Sequence, residues 1–508
     1  MITLDGASLT IEAVVAVAEG REEASIADEA LGRMQRSRDR VEGAMRGTKP
    51  VYALNTGVGL LANIRLEDHE IETMQVNLIR SHCCGVGEPL PRSVVRGMML
   101  IRANVLAKGL SGIRAVVAER ICELLNQGIT PVVPSRGSVG ASGDLAPLAH
   151  MALVLIGEGQ AELQGEVLSA AECMRRTGVA PLQLHGKEGI SLLNGTQAML
   201  SIGCLRLREL EELFYAAQTT AALSLEALRG TVAAFDSRLH VARPHAGQML
   251  SASHLLELLD GSAIPRTHGE GSRIQDAYCL RCIPQVHGAA WDTIQFARGV
   301  FEIELNSATD NPLVFEDAIV SGGNFHGAPL ALALDYLAIA VCQLAGISER
   351  RTERLMNPTL NEGLPAFLAS QPGIESGMMM AQVTAAALVA EMRVLAGPAS
   401  VGSIPTSGNQ EDFVSMGMTS ALKLNQTAEL ARMVVAIELL AATRAMDLRG
   451  DVSTTALEDV RRRFRMRVPA WGEDCVLSVW MEEAAKFLLD DGWRDLGTAK
   501  PQGQEAVR

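Results

Sequence analysis

The chain has 508 residues, and 59 acidic against 45 basic side chains leave it with a formal net charge of −14. That excess of acid argues against nucleic acid or an anionic membrane as a partner, and an aromatic content of 4% offers few platforms for stacking single strands. A hydrophobic share of 48% with 20% charged residues disfavours disorder, and the length is ample to bury a core without disulfides or a structural metal.

In chain order, residues Met1 to Asp5 lack a basic start and an apolar run, so no signal peptide is expected. Apolar side chains at three- and four-residue spacing, such as Val95, Met98, Met99, Ile101 and Val105, predict helix within 87–127. Gln160 to Leu168 predicts one small hairpin turning at Gly165. Helices follow over 200–229, 283–305, 328–356, 376–396 and 411–447. The last of these are long, Ala- and Leu-rich and poor in Gly and Pro, which suits a bundle of extended helices. Pro329 to Ser348 is the most apolar stretch, but Asp335 and Gln343 interrupt it, so it reads as a buried helix rather than a membrane span. No repeat or linker separates folding units. The fold expected is mainly α.

Nine cysteines, odd in number and scattered, read as reduced thiols of a cytoplasmic protein. Cys279 and Cys282 form a C-x-x-C, yet no second pair stands at zinc-site spacing, so no metal is expected. There is no P-loop, no H-E-x-x-H, and no G-x-G piece carries the third glycine of a dinucleotide fingerprint. Ser142, flanked by Gly140-Ala141 and Gly143-Asp144, misses the hydrolase elbow by one position.

That segment, Gly137 through His150, is the most unusual in the chain. One reading is a Gly-rich turn leading into a helix, with Asp144 as N-cap or first-turn acid and Pro147 in the first turn. The other is chemical. A glycine amide nitrogen can attack the carbonyl two residues earlier when small residues let the backbone bend tightly. Loss of water from the ring and from the serine then leaves a conjugated methylidene.

The segment resembles the electrophile of the aromatic amino acid ammonia-lyase family. Tyr52, Asn55-Thr56-Gly57 and Ser81-His82 resemble its motifs upstream. Downstream stand Leu193-Asn194-Gly195-Thr196, Gln275-Asp276-Ala277-Tyr278, Asp310-Asn311-Pro312-Leu313, Gly322-Gly323-Asn324-Phe325-His326 and Asn409-Gln410-Glu411-Asp412. The ordered set runs from about residue 50 to 450.

The resemblance implies an elongated helical bundle of the ammonia-lyase and fumarase-like type. Residues 1–200 would form a smaller mixed region carrying the electrophile, and 201–508 a long-helix region forming the core of a homotetramer with shared active sites. Ala141, Ser142 and Gly143 would cyclise to 4-methylideneimidazol-5-one, with no external cofactor. The substrate amine would add to the methylidene carbon and leave after a base removes a β-proton.

By the same resemblance Tyr52 is the base; a free phenol titrates near 10, so it needs positive potential nearby. The other reading of Tyr52 is a buried tyrosine packing behind the Asn55-Thr56-Gly57 turn. Tyr278 would assist at the electrophile and Arg281, one helical turn on, would pair with the substrate carboxylate. Arg281 alone could be an ordinary surface arginine. Asn194 and Gln275 would supply amide hydrogen bonds, Gln410 would join the substrate site, and Phe325 would line it.

His82, Glu411 and Met379 match the pocket of the histidine-acting members, which points to L-histidine as the substrate and urocanate as the product. A buried imidazole needs partners for both nitrogens, which a phenyl ring would leave unsatisfied. Cys83-Cys84 and Phe413 depart from that branch's pattern. The alternatives are a tyrosine or phenylalanine lyase or aminomutase using the same electrophile, and a catalytically silent scaffold homologue.

Overall fold

The computed structural model describes residues 1–46, 50–141, 143–264 and 274–496. Its helices are α1 (Ile11–Ala18), α2 (Asp28–Met45), α3 (Asp68–His82), α4 (Arg92–Ala107), α5 (Ala115–Asn126), α6 (Leu145–Leu155), α7 (Ala170–Thr177), α8 (Glu188–Leu193) and α9 (Gln197–Ala227). There follow α10 (Ser237–Val241), α11 (Ala246–Leu259), α12 (Tyr278–Arg281), α13 (Ile283–Leu305), α14 (Ala328–Met356), α15 (Met379–Leu395), α16 (Gly417–Arg449), α17 (Thr455–Arg465) and α18 (Leu477–Phe487). The fold is mainly α, as the periodicity predicts, and the expected spans 283–305 and 328–356 coincide with α13 and α14.

Local chemistry explains several boundaries. Thr10 caps α1 by accepting from the Ala13 amide, and Glu67 with Glu70 forms a capping box at the start of α3. Gly178, at φ +76°, ends α7 in the left-handed region.

Strands are short: β1 (Ile2–Leu4), β2 (Ala24–Ile26), β3 (Val86–Pro89), β4 (Thr130–Pro131), β5 (Pro134–Arg136), β6 (Gln160–Leu163), β7 (Glu166–Ser169), β8 (Leu313–Val314) and β9 (Ile319–Val320). β6 and β7 form the expected antiparallel hairpin. Gln164 and Gly165 both have positive φ, as a two-residue turn matched to strand twist requires. β4 adds a third strand to this hairpin. β1 pairs in parallel with β2, and β3 and β8 pair antiparallel with β5 and β9. These pairs span two to four residues, too few to show a period of two.

The chain divides into two compact units. The first comprises Met1–Arg208, Ala297–Asp335 and Pro398–Lys423, and the second Glu209–Phe296, Tyr336–Gly397 and Leu424–Arg508. In the first, α1, α2 and α5 pack on α4, and every residue of α4 from Val94 to Ala107 is buried. A helix buried on all faces must satisfy its polar side chains internally. Arg96 does so by donating to the carbonyls of Val17 and Leu125, and Asn104 by donating to that of Leu305.

Helix α14 is long and apolar enough to cross a membrane by length and composition. Its Asp335 is buried and accepts from Lys423 Nζ, the Ser400 amide and Ser420 Oγ, all within the first unit. In the second unit, Glu438 of α16 is buried and accepts from Ser224 of α9 and from Ser348 and Arg351 of α14.

Candidate active site

Strand β5 leads into the Gly-rich segment, and α6 leaves it. Gly140 and Gly143 have φ of +72° and +78° and pair with each other in a β-bridge, so the chain reverses within four residues. Neither glycine admits a side chain: a Cβ on Gly140 would overlap Ser415 Oγ, and one on Gly143 would overlap the Gly195 carbonyl. The reversal is held from several sides. Ser138 Oγ accepts from the Gly140 amide at 3.2 Å, and the Met416 amide donates to the Val139 carbonyl at 2.8 Å. Ser415 Oγ donates to the Gly140 carbonyl at 3.3 Å, while the Asp144 amide donates to Gly195 O at 2.7 Å. Ser142, the predicted source of the methylidene carbon, lies outside the described residues. The bridge between Gly140 and Gly143 fits the ring closure that the residues predict.

The sequence predicts Asp144 as a cap for the helix it precedes. It does occupy the N-cap position of α6, but its side chain makes no bond there. The carboxylate instead accepts from the amides of Ala198 and Met199 at 3.0 and 2.9 Å, in the first turn of α9, and from Ser138 Oγ. It therefore caps a helix more than 50 residues further on. Burial pushes its carboxyl up to about 6, with the three hydrogen bonds opposing.

Beside the segment lies a cavity of about 350 Å³, wholly within the first unit. Of the predicted site residues, Tyr52, Ala141, Asn194, Phe325, Gln410 and Glu411 line it together. Tyr52 presents its phenol oxygen to the Gly59 amide, which donates to it at 3.1 Å. That contact fixes the phenol oxygen at the cavity wall. Asn194 ends α8; its Nδ2 donates to the Asn311 carbonyl at 2.9 Å, and its own carbonyl accepts from Arg102. Glu411 is fixed by a backbone bridge to Thr406 and by Thr406 Oγ1, which donates to its Oε2 at 2.8 Å.

Other lining residues carry no assignment from sequence reasoning. Asn311 accepts from the Gly322 amide at 2.8 Å through its side chain, which ties two family-like motifs together. His326 stacks on Phe413 at 15° between ring planes and shares a hydrogen bond with its carbonyl. Both motifs are visible in the sequence, but which of their residues face the cavity is not. The glycines around Ser415, namely Gly140, Gly327 and Gly417, are the only sequence trace of its close approach.

Other predicted residues do not line this cavity. His82 ends α3 with Nδ1 hydrogen-bonded to the Leu78 carbonyl at 2.8 Å. Gln275, Tyr278 and Arg281 belong to the second unit, where they do meet one another. Arg281 Nη1 donates to Gln275 Oε1 at 2.7 Å, and its guanidinium stands 4.8 Å from the centre of the Tyr278 ring. Helix α12 is thus the single turn that the spacing of Tyr278 and Arg281 requires. Tyr278 is 72% exposed. Met379 opens α15 in the second unit.

Behind Asn194, three charged side chains are fully buried: Arg102, Lys187 and Asp310. Lys187 Nζ lies 3.4 Å from Asp310 Oδ2. Burial alone would raise the Asp310 carboxyl, but Lys187 and Arg102 hold it below its ordinary range.

A chain reversal between Gly140 and Gly143, beside a cavity holding a tyrosine, an asparagine and a glutamate, brings together residues that the resemblance to lyases of aromatic amino acids singles out. The chain belongs to the aromatic amino acid lyase family, whose sequence profile matches residues 9–466. The histidine ammonia-lyase of Koribacter versatilis (strain Ellin345) is 52% identical over 504 residues, covering 96% of this chain and 98% of that protein. Among solved structures, histidine ammonia-lyase from Trypanosoma cruzi superposes with a TM-score of 0.91 at 41% identity, covering 98% of this chain and 95% of that one. Tyrosine aminomutase from Streptomyces globisporus superposes with a TM-score of 0.93 at 38% identity, covering 99% of both chains.

Proposed function

We propose that this protein eliminates ammonia from L-histidine to give urocanate, using an electrophile made from Ala141, Ser142 and Gly143. The observation that carries the reading is the meeting of the reversed segment, Tyr52, Asn194 and Glu411 at one cavity. The similarity to histidine ammonia-lyases across nearly the whole chain supports the substrate.

A methylideneimidazolone at Ala141 to Gly143 supplies a carbon electrophile for the substrate amine, which makes ammonia a leaving group. The residues of the chain do the rest. Tyr52, entering the step as the phenolate, takes the β-proton and becomes the neutral phenol, with the Gly59 amide donating to its oxygen. Glu411 accepts the imidazole N–H, and Phe325 packs against the ring. Asn194 and Gln410 supply amide hydrogen bonds. Gln275, Tyr278 and Arg281, already in mutual contact, bind the carboxylate and assist the departing amine. Together with His82 and Met379 they complete the site in a cytoplasmic homotetramer whose subunits share active sites, with the long helices at its core.

The test is ultraviolet absorbance of the purified protein mixed with L-histidine. Urocanate should accumulate, and Ser142→Ala should abolish the signal. A flat trace from folded wild-type protein would overturn the substrate and shift the reading to tyrosine or phenylalanine, by elimination or amino migration.

A further inference from the structure

Arg102 is an expensive residue in its position. It lies in the middle of α4 with none of its surface exposed, where a guanidinium needs a full set of acceptors or a carboxylate partner. It has neither. Nη1 donates to the Asn194 carbonyl and, at 3.3 Å, to Gln197 Oε1, while Nε and Nη2 find no acceptor among the described residues. The buried carboxylate in this cluster, Asp310, is paired with Lys187. Two buried cations therefore share one buried anion, and the surplus positive charge lies on Arg102.

The surroundings are built to admit this group. Gly195 has φ +150°, and a Cβ there would come within 2.7 Å of Arg102 Nη1. The same Gly195 forms the β-bridge to Gly143 and accepts from the Asp144 amide. A continuous path of contacts thus runs from Arg102 through the Asn194–Gly195 turn to the last residue of the electrophile segment. Gln197, the second acceptor of the guanidinium, is itself fixed because its Nε2 donates to Thr309 Oγ1 at 2.8 Å.

We propose that Arg102 is a positioning residue for the electrophile segment. Its guanidinium locks the Asn194–Gly195 turn against Gly143 and sets a fixed positive charge on the far side of that turn from the segment where negative charge develops during ring closure and elimination. A preorganised buried charge is costly to the fold and useful for chemistry, because nothing must reorganise when the anion forms. The inference rests on the cyclisation proposed above and concerns neither the substrate nor the base.

The experiment compares wild type with Arg102→Met, which keeps volume and loses charge, and Arg102→Lys, which keeps charge and loses the fork. Circular dichroism establishes folding, intact mass reports whether two waters have left the chain, and kcat and KM are measured with L-histidine. Arg102→Met should fold yet retain its waters in most molecules, with kcat down about 100-fold and KM within about threefold. Arg102→Lys should recover cyclisation in part, with kcat down about tenfold. If Arg102→Met fails to fold, Arg102→Lys carries the test. Complete loss of both waters with kcat within threefold of wild type, in either folded variant, overturns the proposal. If wild type has lost its waters but leaves L-histidine untouched, the substrate reading fails, and the mass data still decide the role of Arg102.

Discussion

Gly143 and Gly195 face each other across a β-bridge, so closely that a Cβ on Gly143 would overlap the Gly195 carbonyl group. Backbone is the obstacle here, and no flexible side chain can move aside. Gly143→Ala also forces a side chain onto φ +78°. The variant should lose about 1–3 kcal/mol of stability and keep both waters by intact mass, with urocanate formation below detection. Normal dehydration in the alanine variant would show that the reversal is not what permits ring closure.

Asp144 gives a pH-dependent signature. Its carboxyl titrates near 3.8 when unfolded and at about 6 when buried. Between those values the folded state holds the proton more tightly, so this group's contribution to stability falls as pH rises through that window. At pH 7, keeping the buried carboxylate charged costs on the order of 3 kcal/mol. Asp144→Asn retains hydrogen-bonding atoms without the charge. Its Tm relative to wild type should climb between pH 4 and pH 7 and level off above. A difference that stays flat across this range would mean the carboxyl is not perturbed by burial.

In the proposed function Glu411 selects the substrate, from its place in the cavity lining. Glu411→Gln leaves an amide oxygen able to accept from Thr406 Oγ1 and removes the anionic acceptor for an imidazole. kcat/KM for L-histidine should drop about 100-fold, with turnover of tyrosine or phenylalanine rising, by direct comparison of the three substrates. Unchanged histidine turnover would remove Glu411 from the substrate site.

Stability in the second unit depends on Glu438. It accepts from Arg351 at 2.5 and 2.8 Å and from two serine hydroxyls at 2.6 Å each. Glu438→Ala strands the buried Arg351 guanidinium and should cost about 3–5 kcal/mol, measured by urea denaturation. Replacing both partners together, Arg351→Met with Glu438→Leu, should recover most of that loss. A double variant as unstable as the single one would show that packing, not the stranded charge, sets the cost.

Helix existence and type were written in local sequence. Apolar spacing located α13 and α14 to the residue, and Gly165 marked the turn between β6 and β7, because periodicity and left-handed turns are properties of neighbouring residues. The ordered motifs likewise disclosed the family and most of the cavity lining, since side-chain type limits the chemistry available at each position.

What only the tertiary structure decided is which distant residues meet. Asp144 looks like the cap of its own helix and caps α9 instead. Arg102 lies in an apolar helix with no local sign that its guanidinium reaches the Asn194 carbonyl. Ser415 and Gly195 wall in a segment far from them in the chain. Such pairings come from packing the buried face of one element onto another, where a hydrogen-bond donor takes the acceptor that burial leaves within reach. No window of neighbouring residues encodes that choice.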